Sequence, residues 1–207
     1  MIILSHRGYW TVPGEKNSPI AFKRSFDLGF GTETDVRDCV GRLVISHDMP
    51  VGNELDLGDF LRIYGRRNLP LAVNIKSDGL VAPLKQAMQT AGISDWFVFD
   101  MSIPDMRSYL NAEVPVFARM SEVEKEPAWI DEVSGIWLDG FSDIWYDTDL
   151  IGRFLNKGLR VCIVSPELHG REHEAFWSKL SVLSGRSGLM LCTDFPEQAR
   201  DFFEVGK

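Results

Sequence analysis

The sequence predicts an α/β protein, a small (β/α)8 TIM barrel with trimmed loops. Eight short β-rich runs alternate with helical patterns, and this alternation implies parallel strands joined by helical crossovers. No Pro/Ser/Gly-rich linker, low-complexity tract or internal repeat interrupts the pattern, so we expect a single domain over residues 1–207. Typical barrels have about 250 residues, so an open doubly wound sheet is the competing architecture.

Turn and capping signals place the individual elements. The predicted strands are Ile2–Leu4, Thr32–Val36, Leu71–Ile75, Trp96–Phe99, Val114–Ala118, Gly135–Leu138, Leu159–Val164 and Leu189–Cys192. A further run, Leu43–Ser46, follows the second strand so closely that we expect the return arm of a hairpin or an extension of that strand. In the first helix Ser18 supplies a capping hydroxyl and Pro19 lies in the first turn, and Gly29 ends the helix. The other predicted helices are Leu57–Tyr64, Leu80–Ala91, Pro104–Leu110, Tyr146–Asn156, His173–Leu183 and Pro196–Phe203.

Composition excludes several classes of function. The chain has 44% hydrophobic and 25% charged residues, as an ordinary globular protein does, and its net charge of −8 argues against nucleic-acid binding. It lacks the run of about 18 apolar residues that a membrane span requires, and the first apolar run is too short for a signal peptide. The three cysteines have no metal-type spacing, which favours buried free thiols in a reducing compartment. We therefore expect a cytoplasmic protein.

Polar residues cluster where the early strands end. The first strand ends in Ser5, His6, Arg7 and Gly8; the second carries Glu33 and Asp35; the return run ends in His47 and Asp48; the third strand ends in Asn74, Ile75 and Lys76. The carboxyl ends of parallel strands form the functional edge of such folds, so we expect these side chains to converge. A single histidine at a strand end is more often structural, but two together favour catalysis.

The carboxylates of Glu33 and Asp35 are separated by two positions and so face the same side of one strand. Inward-facing carboxylates repel each other unless a cation lies between them. Oxygen ligands suit Mg²⁺ or Ca²⁺, whereas zinc requires more His or Cys ligands. Arg7 and Lys76 either neutralise these acids or bind an anionic substrate.

Several motifs together resemble a known family. His6–Gly8, the helix start Asn17–Phe22, Gly29, the tetrad Glu33–Val36 and His47–Asp48 occur in order within the first fifty residues. This combination is similar to the signature of the glycerophosphodiester phosphodiesterases, members of the phosphatidylinositol phospholipase C-like barrel superfamily. Weaker similarities follow at Asn74–Lys76, where the family tends to have Glu-x-Lys, and at Cys192–Pro196, similar to its closing strand and turn.

The resemblance implies cation-dependent cleavage of a small-molecule phosphodiester that carries a neighbouring hydroxyl. His6 and His47 match the catalytic pair, of which one deprotonates the attacking hydroxyl and the other protonates the leaving alcohol. The cation, Mg²⁺ or Ca²⁺, acts with Arg7 and Lys76, which match the phosphate-binding residues, to stabilise charge on phosphorus. The metal ligands implied in this way include Glu33 and Asp35.

Three departures from the family pattern affect the site. Asn74 stands where the family has its third carboxylate ligand, and Asp139, at the end of the sixth strand, is the candidate substitute or an ordinary turn acid before Gly140. The segment after Asp48 is much shorter than the family's usual insertion. The charged run Val164–Arg171 replaces the family's usual ending of the seventh strand and suggests a substrate loop of its own.

Two alternatives to hydrolysis remain open. A catalytically silent barrel would bind a phosphorylated ligand, with Asn74 as the first sign of lost metal chemistry. A lyase of the same fold would stop at the cyclic phosphate. Retention of His6 and His47 favours an enzyme, because a binding protein has no use for a proton-transfer pair.

Overall fold

A computed structural model describes residues 1–204 of the chain, with ten strands and seven α-helices among them. The strands are β1 (Ile2–His6), β2 (Gly31–Cys39), β3 (Arg42–Ile45), β4 (Leu55–Asp56), β5 (Leu71–Ile75), β6 (Trp96–Phe99), β7 (Phe117–Met120), β8 (Gly135–Leu138), β9 (Arg160–Val164) and β10 (Leu189–Thr193). The helices are α1 (Pro19–Asp27), α2 (Leu57–Tyr64), α3 (Val81–Ala91), α4 (Ile103–Asn111), α5 (Thr148–Asn156), α6 (Glu174–Leu180) and α7 (Pro196–Glu204). The alternation of strands and helices is therefore confirmed.

Three elements differ from the sequence prediction by more than a small shift at their ends. The strand expected at Val114–Ala118 forms later, as β7, because Val116 makes only an isolated bridge to Val98 while Phe117–Met120 pair along β8. The short strand β4 was not predicted, since two residues carry no period. The helix expected at His173–Leu183 is α6 followed by a separate 3₁₀ turn.

The described residues divide into two compact units. In the N-terminal unit, residues 5–116, β2 pairs in parallel with β5, and β5 with β6. Strand β3 pairs antiparallel with β2, and β4 with β3, so the run after β2 is a hairpin arm. Aromatic rings of α1 and α2 form part of the core, with the Phe22 and Phe60 centroids 4.6 Å apart.

The C-terminal unit comprises residues 1–4 and the described chain from Phe117 onward. Its strands β7, β8, β9 and β10 pair in parallel in that order. Fully buried core side chains include Ile136, Val161 and Leu191. Both units are thus mixed α/β structures with mostly parallel strands, as the sequence predicts, while the single-domain organisation stays a prediction.

Two general expectations can be compared with this structure. Cys39, Cys162 and Cys192 are buried and no disulfide joins them, as expected. No helix within residues 1–204 is both long and apolar enough to cross a membrane.

Candidate active site

The end of β1 makes a tight turn that places His6 and Arg7 beside β2. Arg7 has a φ of 58°, which is unusual for a residue with a side chain, and Gly8 follows with a φ of 80°. A Cβ at Gly8 would lie only 2.9 Å from atoms of Ala21, so the turn requires glycine. The backbone N–H of Arg7 donates to the carbonyl oxygen of Glu33 (2.9 Å) and to its carboxylate (3.1 Å). Backbone in a sparsely populated conformation often marks a functional site.

Glu33 and Asp35 are buried rather than solvent-facing. Their exposed fractions are 2% and 0%, and the His6 Nε2 atom lies 4.0 Å from a Glu33 carboxylate oxygen. Burial, and next the negative charge of Asp35, raise the pKa of Glu33 well above its usual value, while the charges of Arg7 and Lys76 oppose this rise. The ionised acid pair is therefore costly without further positive charge.

Two cationic side chains contact Asp35. The Nε atom of Arg7 lies 3.0 Å from one carboxylate oxygen of Asp35, and the Nζ atom of Lys76 lies 3.4 Å from the other. All three groups come from one sheet edge, because Arg7 follows β1 and Lys76 follows β5. This arrangement fits both alternatives considered for Arg7 and Lys76, neutralisation of the acid or binding of an anion.

Two buried oxygen atoms at this site accept no hydrogen bond. They are Oδ1 of Asp35, which faces the Lys76 ammonium at 3.4 Å, and Oδ1 of Asn74; the two residues lie opposite each other in the β2/β5 register. The amide nitrogen of Asn74 donates to Asp100 (3.2 Å), which leaves the amide oxygen as the group without a donor. Buried oxygens that accept no hydrogen bond are costly, and a hard cation is one ligand that satisfies them. The oxygens of Glu33, Asp35 and Asn74 therefore fit Mg²⁺ or Ca²⁺.

The proposed ligand set contains two acids, Glu33 and Asp35, rather than three. Within residues 1–204 no group of three or more His, Cys, Asp or Glu side chains is arranged to hold a metal ion. The third oxygen would come from the neutral amide of Asn74. A bound cation would therefore be compensated by fewer negative charges than the family pattern provides.

Asn17 is a site residue that the sequence interpretation treated only as part of a helix start. Its side-chain amide donates to Asp35 (2.8 Å) and accepts from the Thr34 hydroxyl (2.9 Å), and its backbone N–H donates to the Arg7 carbonyl (2.9 Å). It also has a φ of 58°. Asn17 thus ties the turn after β1 to the acid pair. An asparagine directly before the Ser18 cap was the available signal, because asparagine tolerates the left-handed conformation.

His47 lies on the hairpin side of the N-terminal unit. Its side chain is 45% exposed, and its Nδ1 atom is 2.8 Å from a carboxylate oxygen of Asp48, which is itself 92% exposed. His47 and Arg7 line the same cleft of about 620 Å³. Its other lining residues are Pro13, Gly14, Lys16, Asn17, Ser18, Pro19, Ile45, Ser46, Asp48, Asn53, Glu54 and Leu55. One predicted catalytic histidine therefore shares an open cleft with the predicted phosphate-binding arginine.

Asp139 belongs to the C-terminal unit. Its Oδ1 atom lies 2.8 Å from Nε2 of His169 and accepts a hydrogen bond from the Gly140 backbone (2.7 Å). The side chain is thus already engaged within its own unit, and its role as a metal ligand stays a prediction. The pairing with His169 was not predicted.

No family model and no curated protein matches the sequence. Solved structures do match it over nearly their full length. A provisionally named glycerophosphodiester phosphodiesterase from Galdieria sulphuraria has a TM-score of 0.76 at 16% identity, covering 98% of this chain and 97% of its own. An Oleispira antarctica phosphodiesterase in complex with its product sn-glycerol-3-phosphate has a TM-score of 0.74 at 14% identity, with 99% and 97% covered. A Ca²⁺-dependent phosphatidylinositol-specific phospholipase C from Streptomyces antibioticus has a TM-score of 0.57 at 12% identity, with 98% and 95% covered.

The chain shares its fold with these phosphodiesterases. The solved structures that it resembles are TIM-barrel proteins, so the predicted fold class is confirmed. At these identities the likeness concerns the fold alone, and one fold hosts many reactions. Any activity must therefore be inferred from the side chains of this chain.

Proposed function

We propose that this protein is a cation-dependent phosphodiesterase that cleaves a small glycerol- or sugar-linked phosphodiester. The observation that carries the proposal is the buried pair Glu33 and Asp35, which lies beside Arg7 and Lys76 and includes a carboxylate oxygen that accepts no hydrogen bond. Buried acids next to cations and a histidine match the needs of phosphoryl chemistry, where charge develops on oxygen. The fold shared with phosphodiesterases, one of which holds sn-glycerol-3-phosphate, supports the same class of substrate.

Glu33, Asp35 and Asn74 would hold the divalent cation. When bound, Mg²⁺ or Ca²⁺ would supply positive charge that polarises a phosphoryl oxygen. Arg7 and Lys76 would bind the remaining phosphate oxygens. Asn17 would keep Asp35 oriented through its 2.8 Å hydrogen bond.

His6 and His47 would transfer the protons. His47 contacts Asp48 through Nδ1, which leaves Nε2 as the nitrogen that exchanges a proton with substrate. Its exposure within the cleft allows a substrate to reach it. His6 lies near Glu33, with its Nε2 atom 4.0 Å from the carboxylate. One imidazole would accept the proton of the attacking hydroxyl and the other would protonate the leaving alcohol.

The direct test is a screen of phosphodiesters with and without divalent cations. We expect turnover of glycerophosphodiesters or a chromogenic diester that is lost in excess chelator and returns with Mg²⁺ or Ca²⁺. Turnover that persists in chelator would remove the cation from the mechanism. Product analysis distinguishes a hydrolase, which releases a monoester, from a lyase, which accumulates a cyclic phosphate. From the composition of the sequence we also propose a cytoplasmic location for this protein.

A further inference from the structure

Two carboxylates and two cationic side chains meet at the proposed cation site. Arg7 and Lys76 both contact Asp35, and the charges of both also act on Glu33. The two acids therefore balance the two cationic side chains and leave no negative charge for a divalent cation. The neutral amide of Asn74, the third member of the proposed ligand set, adds none. A further acid in contact with these ligands would supply the missing charge.

Asp100 is an acid that contacts one of the proposed ligands directly. Its carboxylate accepts a hydrogen bond of 3.2 Å from the side-chain amide nitrogen of Asn74. Both residues belong to the N-terminal unit, where Asn74 lies in β5 and Asp100 directly follows the neighbouring parallel strand β6. Asn74 is buried, and Asp100 is half-buried. The contact therefore lies at the carboxyl ends of two adjacent strands.

The backbone of Asp100 has an unusual conformation. Its φ of 65° lies in the left-handed region, which residues with a side chain seldom adopt. Phe99 is the residue opposite Asn74 in the β5/β6 register, and side chains alternate along a strand. A continued strand would therefore turn the side chain after Phe99 to the other side of the sheet. The left-handed residue ends β6 instead, and its carboxylate reaches Asn74. Strained backbone of this kind often marks a functional residue.

The hydrogen bond from Asn74 to Asp100 improves the amide as a cation ligand in two ways. It fixes the orientation of the amide, because the nitrogen is held by Asp100 while the oxygen at the other corner is buried and accepts no hydrogen bond. It also polarises the amide, since donation to a carboxylate increases the partial negative charge on the amide oxygen. Groups that orient and polarise a metal ligand in this way contribute strongly to metal affinity.

We propose that Asp100 is a positioning residue that supplies, through Asn74, the negative charge that the cation site lacks. This inference rests on the proposed function, because it concerns the cation of the same phosphodiesterase site. The sequence offered Asp139 for this role, but Asp139 bonds to His169 in the C-terminal unit. Asp100, in contrast, contacts a proposed ligand itself.

Calorimetric titration of the whole protein with Ca²⁺ tests this inference. Asp100→Asn should weaken Ca²⁺ binding about tenfold or more, the loss typical when a group that orients a metal ligand is removed. Asparagine also tolerates the left-handed backbone, so this variant should fold. Asp78→Asn is the matched control, because it removes an exposed acid that accepts a hydrogen bond from Ser102 in the loop after β6 (2.9 Å). It should change the Ca²⁺ affinity by less than about twofold.

The exchange variant Asn74→Asp/Asp100→Asn gives a readout that a purely structural role would not move. It keeps the hydrogen bond with donor and acceptor exchanged, and it moves the carboxylate to the ligand position. The Ca²⁺ affinity should return at least to that of the parent protein. If Asp100→Asn folds poorly, Asp100→Gly keeps the test decisive, because glycine adopts the left-handed backbone without strain. Asp100→Gly should show the same loss of affinity.

The outcomes separate this inference from the proposed function. Ca²⁺ affinity of Asp100→Asn equal to that of the parent, or an exchange variant that binds no better than Asp100→Asn, would overturn the role of Asp100 and leave the proposed phosphodiesterase intact. Absence of saturable Ca²⁺ binding by the parent protein, together with turnover that persists in chelator, would overturn the cation site and the role of Asp100 together.

Discussion

Two histidine–aspartate pairs in this protein have the same hydrogen-bond length and different surroundings. His47 contacts Asp48, and His169 contacts Asp139, both at 2.8 Å. The first pair is open, with exposed side-chain fractions of 45% and 92%, whereas those of the second are 27% and 9%. An exposed pair contributes little to stability and its ring can adjust to a substrate, while a buried pair fixes its ring. The two pairs therefore differ in burial and not in hydrogen-bond length.

The largest expected effect concerns the proposed proton-transfer residues. His6→Asn and His47→Asn should each lower turnover of a phosphodiester by about 10²–10⁴-fold, as the loss of a general acid or base does. Circular dichroism and thermal melting should be close to those of the parent protein. A rate within a few-fold of the parent for His47→Asn would remove the open pair from catalysis.

Asp48→Asn is the matched variant for His47. The carboxylate of Asp48 is almost fully exposed, so solvent screens its interaction with the His47 ring. We expect turnover to fall by less than about tenfold. A loss as large as that of His47→Asn would show that the open pair acts as a coupled dyad.

Asn17→Ala should have an intermediate effect on activity, about 10–100-fold, because Asn17 acts through Asp35. The loss of activity should be smaller at saturating Ca²⁺ or Mg²⁺, because a bound cation also fixes the Asp35 carboxylate. Asn17→Asp should not restore activity, because it places a second negative charge beside Asp35. Thr34→Val removes only the donor to Asn17 and should show a weaker form of the same behaviour. A loss that does not change with cation concentration would contradict this positioning role.

Glu33→Gln should stabilise the protein at neutral and alkaline pH in the presence of chelator. Burial and Asp35 raise the pKa of Glu33 in the folded state, so the folded protein holds this proton more tightly than the unfolded chain. This tighter proton binding stabilises the folded state fully below the usual pKa of 4.5. The stabilisation is lost as pH rises through the folded-state pKa. At pH 8 the variant should gain on the order of 2 kcal/mol in unfolding free energy, and the difference should disappear near pH 4. A less stable variant at pH 8 would show that Arg7 and Lys76 already compensate the charge.

The smallest effect compares the two aspartates by stability alone. Asp139→Asn should cost about 1 kcal/mol in urea unfolding, because it weakens a buried hydrogen bond to His169. Asp48→Asn should change the unfolding free energy by less than about 0.5 kcal/mol. Equal values for both variants would contradict the contrast between the buried and the open pair.

The sequence was most informative where its signals are local or carry a period. Ser18, with Pro19 at the first position, marks the start of α1, and the hydroxyl of Ser18 accepts from the Ala21 N–H as expected (3.4 Å). The strands are buried runs, and each strand predicted from the sequence corresponds to a strand of the structure. Strand β7 is shifted along the chain, because cross-strand pairing rather than composition sets its limits.

Long-range pairing could not be predicted in the same way. Asn17 contacts Asp35 across 18 positions, and His169 contacts Asp139 across 30. No spacing rule connects such residues, since the fold rather than the local pattern brings them together. The family resemblance pointed to the acid pair, but it contained no information on the partner of Asp139.

Calorimetric titration with Ca²⁺ tests the central claim most directly, namely that the buried oxygens of Glu33, Asp35 and Asn74 bind a cation. The account predicts saturable binding by the parent protein, tighter binding by Asn74→Asp, which adds a charge opposite Asp35, and none by Asp35→Asn. Absence of saturable binding by the parent and by Asn74→Asp, or equal affinity in Asp35→Asn, would contradict it.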